Sequence, residues 1–190
     1  MKDIKIIQDG KKTAEVSSFM ARHQKEGLVV FRPTELSVMI TGSDFGNKEF
    51  MESEGIKSYR MGTGGGCIVA FPDNLEIGLF TMNLESMFLE RVTDRVMEFF
   101  RGKGLNVILD NNDVLVDGKY KVFSTSKMTY NGTLLLIAIH VSINCDAELV
   151  DKICSKPMKK IPKGLSEYGI TSDEMLDLII GIYKAETPNI

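Results

Sequence analysis

The chain has 190 residues, of which 43% are hydrophobic and 26% charged, and its net charge is −3. This length and composition suffice for one domain with its own core, and they argue against a disordered chain. A slightly acidic chain has no general attraction for nucleic acid, and no apolar run reaches the roughly 18 residues of a membrane-spanning helix. We therefore expect a single domain over residues 1–190, with neither nucleic acid nor a membrane as its partner.

The cysteines and histidines give few signs of chemistry. Cys67, Cys145 and Cys154 are irregularly spaced and form no CxxC pair. Their odd number, together with an N-terminus unlike a signal peptide, indicates reduced thiols in a cytoplasmic protein. His23 and His140 are isolated along the chain, so we predict a chemical role for neither.

Hydrophobic periodicity predicts a mixture of helices and strands. In the first half we expect a strand at 4–7, an amphipathic helix at 12–26, strands at 28–31 and 36–41, a short helix capped by Asn47, and strands at 67–71 and 76–82. In the second half we expect a long helix capped by Asn83 and ended near Gly102, a strand at 105–109, a hairpin over 114–122, a buried strand at 132–143, and a final helix begun by a Thr171–Glu174 capping box. Because the strands come in runs, the pattern favours an α+β fold with a mixed, mostly antiparallel sheet flanked by helices.

A glycine run, R-M-G-T-G-G-G, occupies residues 60–66. It fits neither a dinucleotide fingerprint nor a Walker loop, because a strand pattern follows it and no Gly-Lys-Ser/Thr is present. One interpretation is a flexible hairpin connection. The other is a loop whose backbone N–H groups approach an anion or a carbonyl group, with Arg60 as a charged clamp beside it.

The segment 109–127 is the second informative stretch. Strict alternation along a strand predicts that Lys121 shares a face with Phe123, which suggests a lined pocket, although an exposed hairpin lysine is the ordinary alternative. Asn112 and Asp113 precede this hairpin. They are candidates for holding magnesium or a ribose hydroxyl group, and they are equally common as turn residues.

Taken in order, these motifs resemble the lipoate–protein ligase family and the wider superfamily of biotin/lipoate ligases and octanoyltransferases. The resemblance covers nearly the whole chain. Its motifs are R-x-x-T-G-G-G from Arg60, the pair Asn112-Asp113, G-x-x-K-V from Gly118, and N-G-T-L-L-L from Asn131.

The resemblance implies a biotin/lipoate ligase-like catalytic domain that activates lipoate, or a similar cofactor acid, with ATP and Mg²⁺. Lipoyl-AMP would then pass its acyl group to a lysine of a lipoyl-carrier domain. Lys121 would be the catalytic lysine, and Asp113 the metal ligand. The implied substrate and cofactor site consists of Arg60, Thr63, Gly64, Gly65, Gly66, Asn112, Asp113 and Thr133.

The sequence departs from the family pattern at Met61, Ser124 and Asn131, where the family has arginine, glycine and histidine. The sequence also ends where the catalytic domain of the family ends, so the accessory domain of many relatives is expected, if needed, on a separate chain. Two alternatives therefore stay open. One is an octanoyltransferase-type enzyme with Cys154 as nucleophile, and the other is a diverged, non-catalytic acyl- or nucleotide-binding domain.

Overall fold

The computed structural model describes residues 4–41, 46–61, 66–83, 87–154 and 158–186. The strands are β1 (Ile4–Ile7), β2 (Gly27–Phe31), β3 (Ser37–Thr41), β4 (Lys57–Met61), β5 (Gly66–Ala70), β6 (Leu75–Thr81), β7 (Val107–Asp110), β8 (Asp113–Val116), β9 (Tyr120–Tyr130), β10 (Leu134–Val141) and β11 (Ile161–Pro162). The helices are α1 (Gly10–Arg22), α2 (Lys48–Ser53), α3 (Phe88–Gly102), α4 (Ala147–Ile153) and α5 (Ser172–Glu186), with a 3₁₀ turn at Leu165–Tyr168. Within these residues no helix combines the length and apolar character needed to cross a membrane.

The strands form two sheets. The large sheet has the order β1-β2-β6-β10-β9-β8-β7, with β11 paired to β9, and the small sheet has the order β4-β3-β5. In the large sheet β1 runs parallel to β2 and β11 parallel to β9, whereas the other pairs are antiparallel. The fold is therefore α+β with a mixed, mostly antiparallel sheet flanked by helices, as the sequence predicts.

Each face of the large sheet has a different cover. One face carries the main core, in which α3 buries Val92, Val96 and Phe100 and α5 buries Met175 and Ile179. Each fully buried side chain of this size contributes about 1.5–3 kcal/mol to folding. The other face is covered in part by α1, which buries Met20 and Ala21.

Two helix starts follow the predicted capping rules. The Asn47 side chain accepts a hydrogen bond from the Phe50 amide at 3.1 Å and caps α2. At α5, the Glu174 amide donates to Thr171 Oγ1 at 3.3 Å while the Thr171 amide donates to Glu174 Oε2 at 2.9 Å. This reciprocal pair is a capping box.

Other predicted boundaries are wrong. Helix α1 spans Gly10–Arg22 rather than 12–26. It begins earlier because the Lys12 amide donates to Asp9 Oδ1 at 2.6 Å, which makes Asp9 the cap. It ends earlier because the chain turns at Gln24, which has a φ of 49°. Helix α3 begins at Phe88 after Met87, so Asn83 is not its cap. The strand β4 was not predicted.

A β-bulge at Val122 changes which residues share a face of β9. Val114 pairs with Phe123 and Leu115 with Lys121, so Val122 has no partner in β8. One extra residue reverses the alternation. The prediction that Lys121 shares a face with Phe123 is therefore wrong: Phe123 is buried in the main core, whereas Lys121 and Ser124 face a cavity on the other side.

Candidate functional site

A central cavity of about 470 Å³ lies over the face of the large sheet opposite the main core. Adjacent strands place residues in rows across its floor. The first row is Phe80 and Leu136, the second is Val29, Gly78, Ala138 and Ser126, and the third is Glu76, His140 and Ser124. Successive rows are separated by two residues, which is ~7 Å along a strand. The floor thus changes from apolar, through small, to polar side chains.

Other elements form the walls of this cavity. Thr13 and Ser17 come from α1, Met39 from β3, and Cys67 and Ile68 from β5. The far end, beyond the third row, is lined by Asn111, Asn112, Asp113, Lys121 and Lys160. One elongated space therefore runs from apolar and small side chains in one half to charged groups at the other end.

The charged end is an ion-pair cluster around Asp113. Lys121 Nζ lies 3.1 Å from Asp113 Oδ1, and Lys160 Nζ lies 2.8 Å from Asp113 Oδ2. Lys160 Nζ also lies 2.9 Å from Asp110 Oδ2. Lys160 reaches the cluster because β11 pairs in parallel with the start of β9.

These contacts shift the titration of the cluster. Burial disfavours the charged form of Asp113, but the ammonium groups of Lys160 and Lys121 outweigh it, so the pKa of Asp113 is lowered. Burial likewise opposes the charge on Lys160, and the carboxylates of Asp113 and Asp110 outweigh it and raise the pKa of Lys160. The Lys160 ammonium group therefore stays charged at the cavity end, where an anionic ligand can compete with Asp113 for it.

The cluster predicts a pH-dependent contribution to stability. The folded pKa of Asp113 lies below its unfolded value of about 3.9, so its contribution is present above that pH and is lost as the pH falls through the folded pKa. At pH 6 we expect Asp113→Asn to lower the free energy of unfolding by about 2 kcal/mol, the usual scale for a hydrogen bond to a charged group. Urea unfolding at several pH values should show this difference shrinking as the pH falls below about 4. A difference that stays constant with pH would contradict it.

The predicted metal site does not fit this cluster as it stands. Both carboxylate oxygens of Asp113 are already paired with ammonium groups. In the part of the chain that the structure describes, no three His, Cys, Asp or Glu side chains group as metal ligands. Mg²⁺ needs oxygen ligands that are not already neutralised by cations. Asp113 as a magnesium ligand therefore stays a prediction.

A buried acid–imidazole pair lies next to this cluster. Glu76 on β6 faces His140 on β10, and His140 Nδ1 is 2.5 Å from Glu76 Oε1. The Glu76 side chain is only 8% exposed. Burial raises the pKa of Glu76, and the neighbouring His140 and Lys121 oppose that rise.

A second cavity of about 420 Å³ shares one wall with the central cavity. Lys121 and His140 line both, and Cys154 and Cys145 line the second alone. The thiols of Cys67 and Cys154 are hydrogen-bonded to each other. This contact lowers the pKa of Cys154 to about 7, although burial opposes it, and it raises the pKa of Cys67.

The thiol pair predicts selective alkylation. Because Cys154 has a pKa of about 7, iodoacetamide should modify it faster than Cys145, whose pKa burial raises to about 11. Cys67→Ala removes the hydrogen bond that stabilises the thiolate. In this variant we expect a higher pH at which the alkylation rate of Cys154 reaches half its maximum. Peptide mass spectrometry measures this rate. An unchanged profile would contradict the role of Cys67.

The structure places the predicted site residues in four different locations. Lys121, Asn112 and Asp113 line the central cavity, and Cys154 lines the adjoining one. Arg60 lies on β4 at the edge of the small sheet, in a separate groove beside α1. Thr133 lies just beyond Tyr130, the last residue of β9. Tyr130 is nine residues along the strand from Lys121, which is ~30 Å.

The glycine run lies mostly outside the described residues. Thr63, Gly64 and Gly65 are not among them. Gly66 is the first residue of β5, and the following residue, Cys67, lines both cavities. The end of the run therefore meets the wall of the cavity, and the ligand-binding role of its other residues stays a prediction.

Sequence reasoning missed three residues at the site: Lys160, Glu76 and His140. A weak signal for two of them was present, since Glu76 and His140 are each a single titratable residue within an otherwise apolar strand. A charge in such a strand must be paired, but the sequence does not say which strands are neighbours.

Comparisons with known proteins agree with this architecture. No protein-family profile and no curated protein sequence matches the chain. Among solved structures, it resembles the bipartite lipoate protein ligase of Thermoplasma acidophilum, described with its E2 lipoyl domain, at a TM-score of 0.74 and 17% identity over 97% of this chain and 83% of that one. It resembles P. falciparum LipL1 in complex with lipoate at a TM-score of 0.78 and 14% identity, over 98% of this chain and 63% of that one.

A third solved structure is lipoate-protein ligase A bound with ATP, for which the TM-score is 0.75 and the identity 16%, over 97% of this chain and 85% of that one. At such identities the likeness concerns the path of the backbone rather than the chemistry of individual side chains. The chain therefore has the fold of a biotin/lipoate ligase-like catalytic domain.

Proposed function

We propose that this chain activates lipoate, or a similar cofactor acid, as an acyl-adenylate and transfers the acyl group to a lysine of a lipoyl-carrier domain. The observation that carries the proposal is the elongated cavity that ends at Lys121. Its small-residue trough at Gly78, Ala138 and Ser126 suits an apolar acyl chain. Its charged end suits a carboxylate and a phosphate. Structural neighbours described with lipoate, with ATP and with a lipoyl domain support the same choice.

Lys121 has the central role in this proposal. When a carboxylate attacks the α-phosphate of ATP, negative charge gathers around the phosphorus in the transition state. A fixed ammonium group stabilises that charge better than water does, because it needs no reorganisation. Asp113 holds Lys121 in place before the ligand arrives, and Lys160 fixes the other carboxylate oxygen of Asp113.

Intact-mass analysis tests the proposal. The purified chain is incubated with ATP, Mg²⁺ and lipoate, biotin or octanoate, with and without a lipoyl domain and with a separately produced accessory chain if one is needed. We expect an ATP-dependent mass increase of the lipoyl domain that equals one acyl group. Tight binding of the acid without any transfer under these conditions would instead identify a non-catalytic binding domain.

A second candidate is a thioester-forming acyltransferase. Cys154 and Lys121 line the same cavity, and the pKa of Cys154 is lowered to about 7. A thiolate at neutral pH is a competent nucleophile, and a nearby ammonium group favours it. A carrier-bound acyl donor should then leave an ATP-independent acyl adduct on the chain that Cys154→Ser abolishes, whereas Cys145→Ser keeps it.

A further inference from the structure

The adenylation step proposed above uses Lys121 and leaves the pair of Glu76 and His140 without a role, yet this pair occupies the middle of the central cavity. Its row lies between the small-residue trough and Lys121. If an acid places its chain in the trough and its carboxyl group at Lys121, its carbonyl carbon lies beside this row. This placement rests on the proposed function.

The geometry of the pair leaves one imidazole nitrogen for the cavity. His140 Nδ1 contacts Glu76 Oε1 at 2.5 Å, and a carboxylate there accepts the N–H of that nitrogen. Nε2 then carries a lone pair. A carboxylate that fixes the tautomer and offsets the charge of an imidazolium is the arrangement that makes histidine an effective base.

Other charged groups surround the pair. Lys121 faces it from β9, Asp113 from β8, Lys160 from the segment before β11, and Cys67 from β5. Burial opposes the carboxylate form of Glu76, and the contacts with His140 and Lys121 favour it.

We propose that His140, oriented by Glu76, is the base that accepts the proton of the attacking lysine amine in the transfer step. The neutral amine forms a bond from its nitrogen to the acyl carbon, and the bond from that carbon to the AMP oxygen breaks, with its electron pair leaving on AMP. The nitrogen, positively charged after attack, gives one proton to His140 Nε2. Glu76 stabilises the imidazolium until the proton passes to water.

The test separates the two half-reactions by supplying chemically synthesised lipoyl-adenylate. In single-turnover transfer to a lipoyl domain, we expect His140→Gln to be about 100-fold slower than the wild type, the lower range for a lost general base. Formation of adenylate from lipoate and ATP should change by less than about threefold, since His140 does not act in that step. His23→Gln, on the exposed end of α1, is the matched control and should match the wild type in both steps.

Two further variants keep the test informative if His140→Gln is poorly folded. Glu76→Gln should slow transfer less than His140→Gln and change the pH dependence of transfer but not of adenylate formation. His140→Ala should recover part of its transfer rate when imidazole is added to the buffer, which a merely structural residue would not show.

The results distinguish this inference from the function on which it rests. Equal losses in both half-reactions, or wild-type transfer by His140→Gln, would overturn the role of His140 alone. A wild-type chain that neither forms lipoyl-adenylate nor consumes the synthetic compound would overturn the proposed function itself.

Discussion

Replacing Lys121 with alanine should reduce adenylate formation by about 10²–10³-fold, the effect of removing one charged or hydrogen-bonding group from a transition-state site. Lys121 is 33% exposed, lines the cavity and is paired with Asp113 at 3.1 Å, so it is fixed but still open to a ligand. Pyrophosphate release in the presence of lipoate and ATP measures this step directly.

Lys119 provides the matched control. It lies two residues earlier in the hairpin turn, is exposed, and places its ammonium group over the Tyr120 ring at 5.0 Å rather than in a cavity. Lys119→Ala should keep the wild-type rate. If Lys121→Ala forms adenylate within about threefold of the wild-type rate, Lys121 does not act in this step, and the proposed function loses the residue on which it depends.

Replacing Gly164 with alanine should lower the free energy of unfolding by about 3 kcal/mol, the upper range for overpacking. A Cβ atom there would lie 2.6 Å from the Ile143 carbonyl oxygen and 3.1 Å from the Cys145 amide. Both are backbone atoms. This segment cannot retreat without breaking the hydrogen bonds that the Leu165 and Ser166 amides donate to the carbonyl oxygens of Ser142 and Ile143, each 2.9 Å long.

The backbone at Gly164 has a φ of −85°, which any residue can adopt. The predicted loss of stability in Gly164→Ala therefore comes from the steric contact alone. Gly181 is the matched control, because it lies in α5 with no heavy atom within 4 Å of an added Cβ. Gly181→Ala should raise the free energy of unfolding by about 0.5–1 kcal/mol through helix propensity. Urea unfolding of both variants checks the pair, and a Gly164→Ala variant as stable as wild type would contradict the predicted contact.

The fold class and two helix starts could be predicted because they depend on local signals. Asn47 and Thr171 cap helices wherever their side chains reach the next amides, and the amphipathic pattern of α3 is a property of neighbouring residues. Asp117-Gly118 forms the predicted hairpin turn with φ values of 53° and 65°, the two positive values that a type I′ turn requires.

The site was less predictable because long-range pairing creates it. The bulge at Val122 is visible only from the register with β8, and it changes the face on which Phe123 lies. Lys160 meets Asp113 through the pairing of β11 with β9, and Glu76 meets His140 through the pairing of β6 with β10. Arg60 is close to the glycine run in sequence, whereas β4 places it in a groove separate from the central cavity.

The order of strands in the large sheet also implies an order of folding. Strands β7 to β10 are successive neighbours joined by short turns, so they close small loops, whereas β6 reaches β10 across the whole of α3 and β2 reaches β6 across the small sheet. Short loops close at lower entropic cost. We expect amide protons of β9 and β10 to gain protection from exchange before those of β2. Lys121 and Asp113 would thus meet early, and the floor of the cavity would be completed only when β6 and β2 join the sheet.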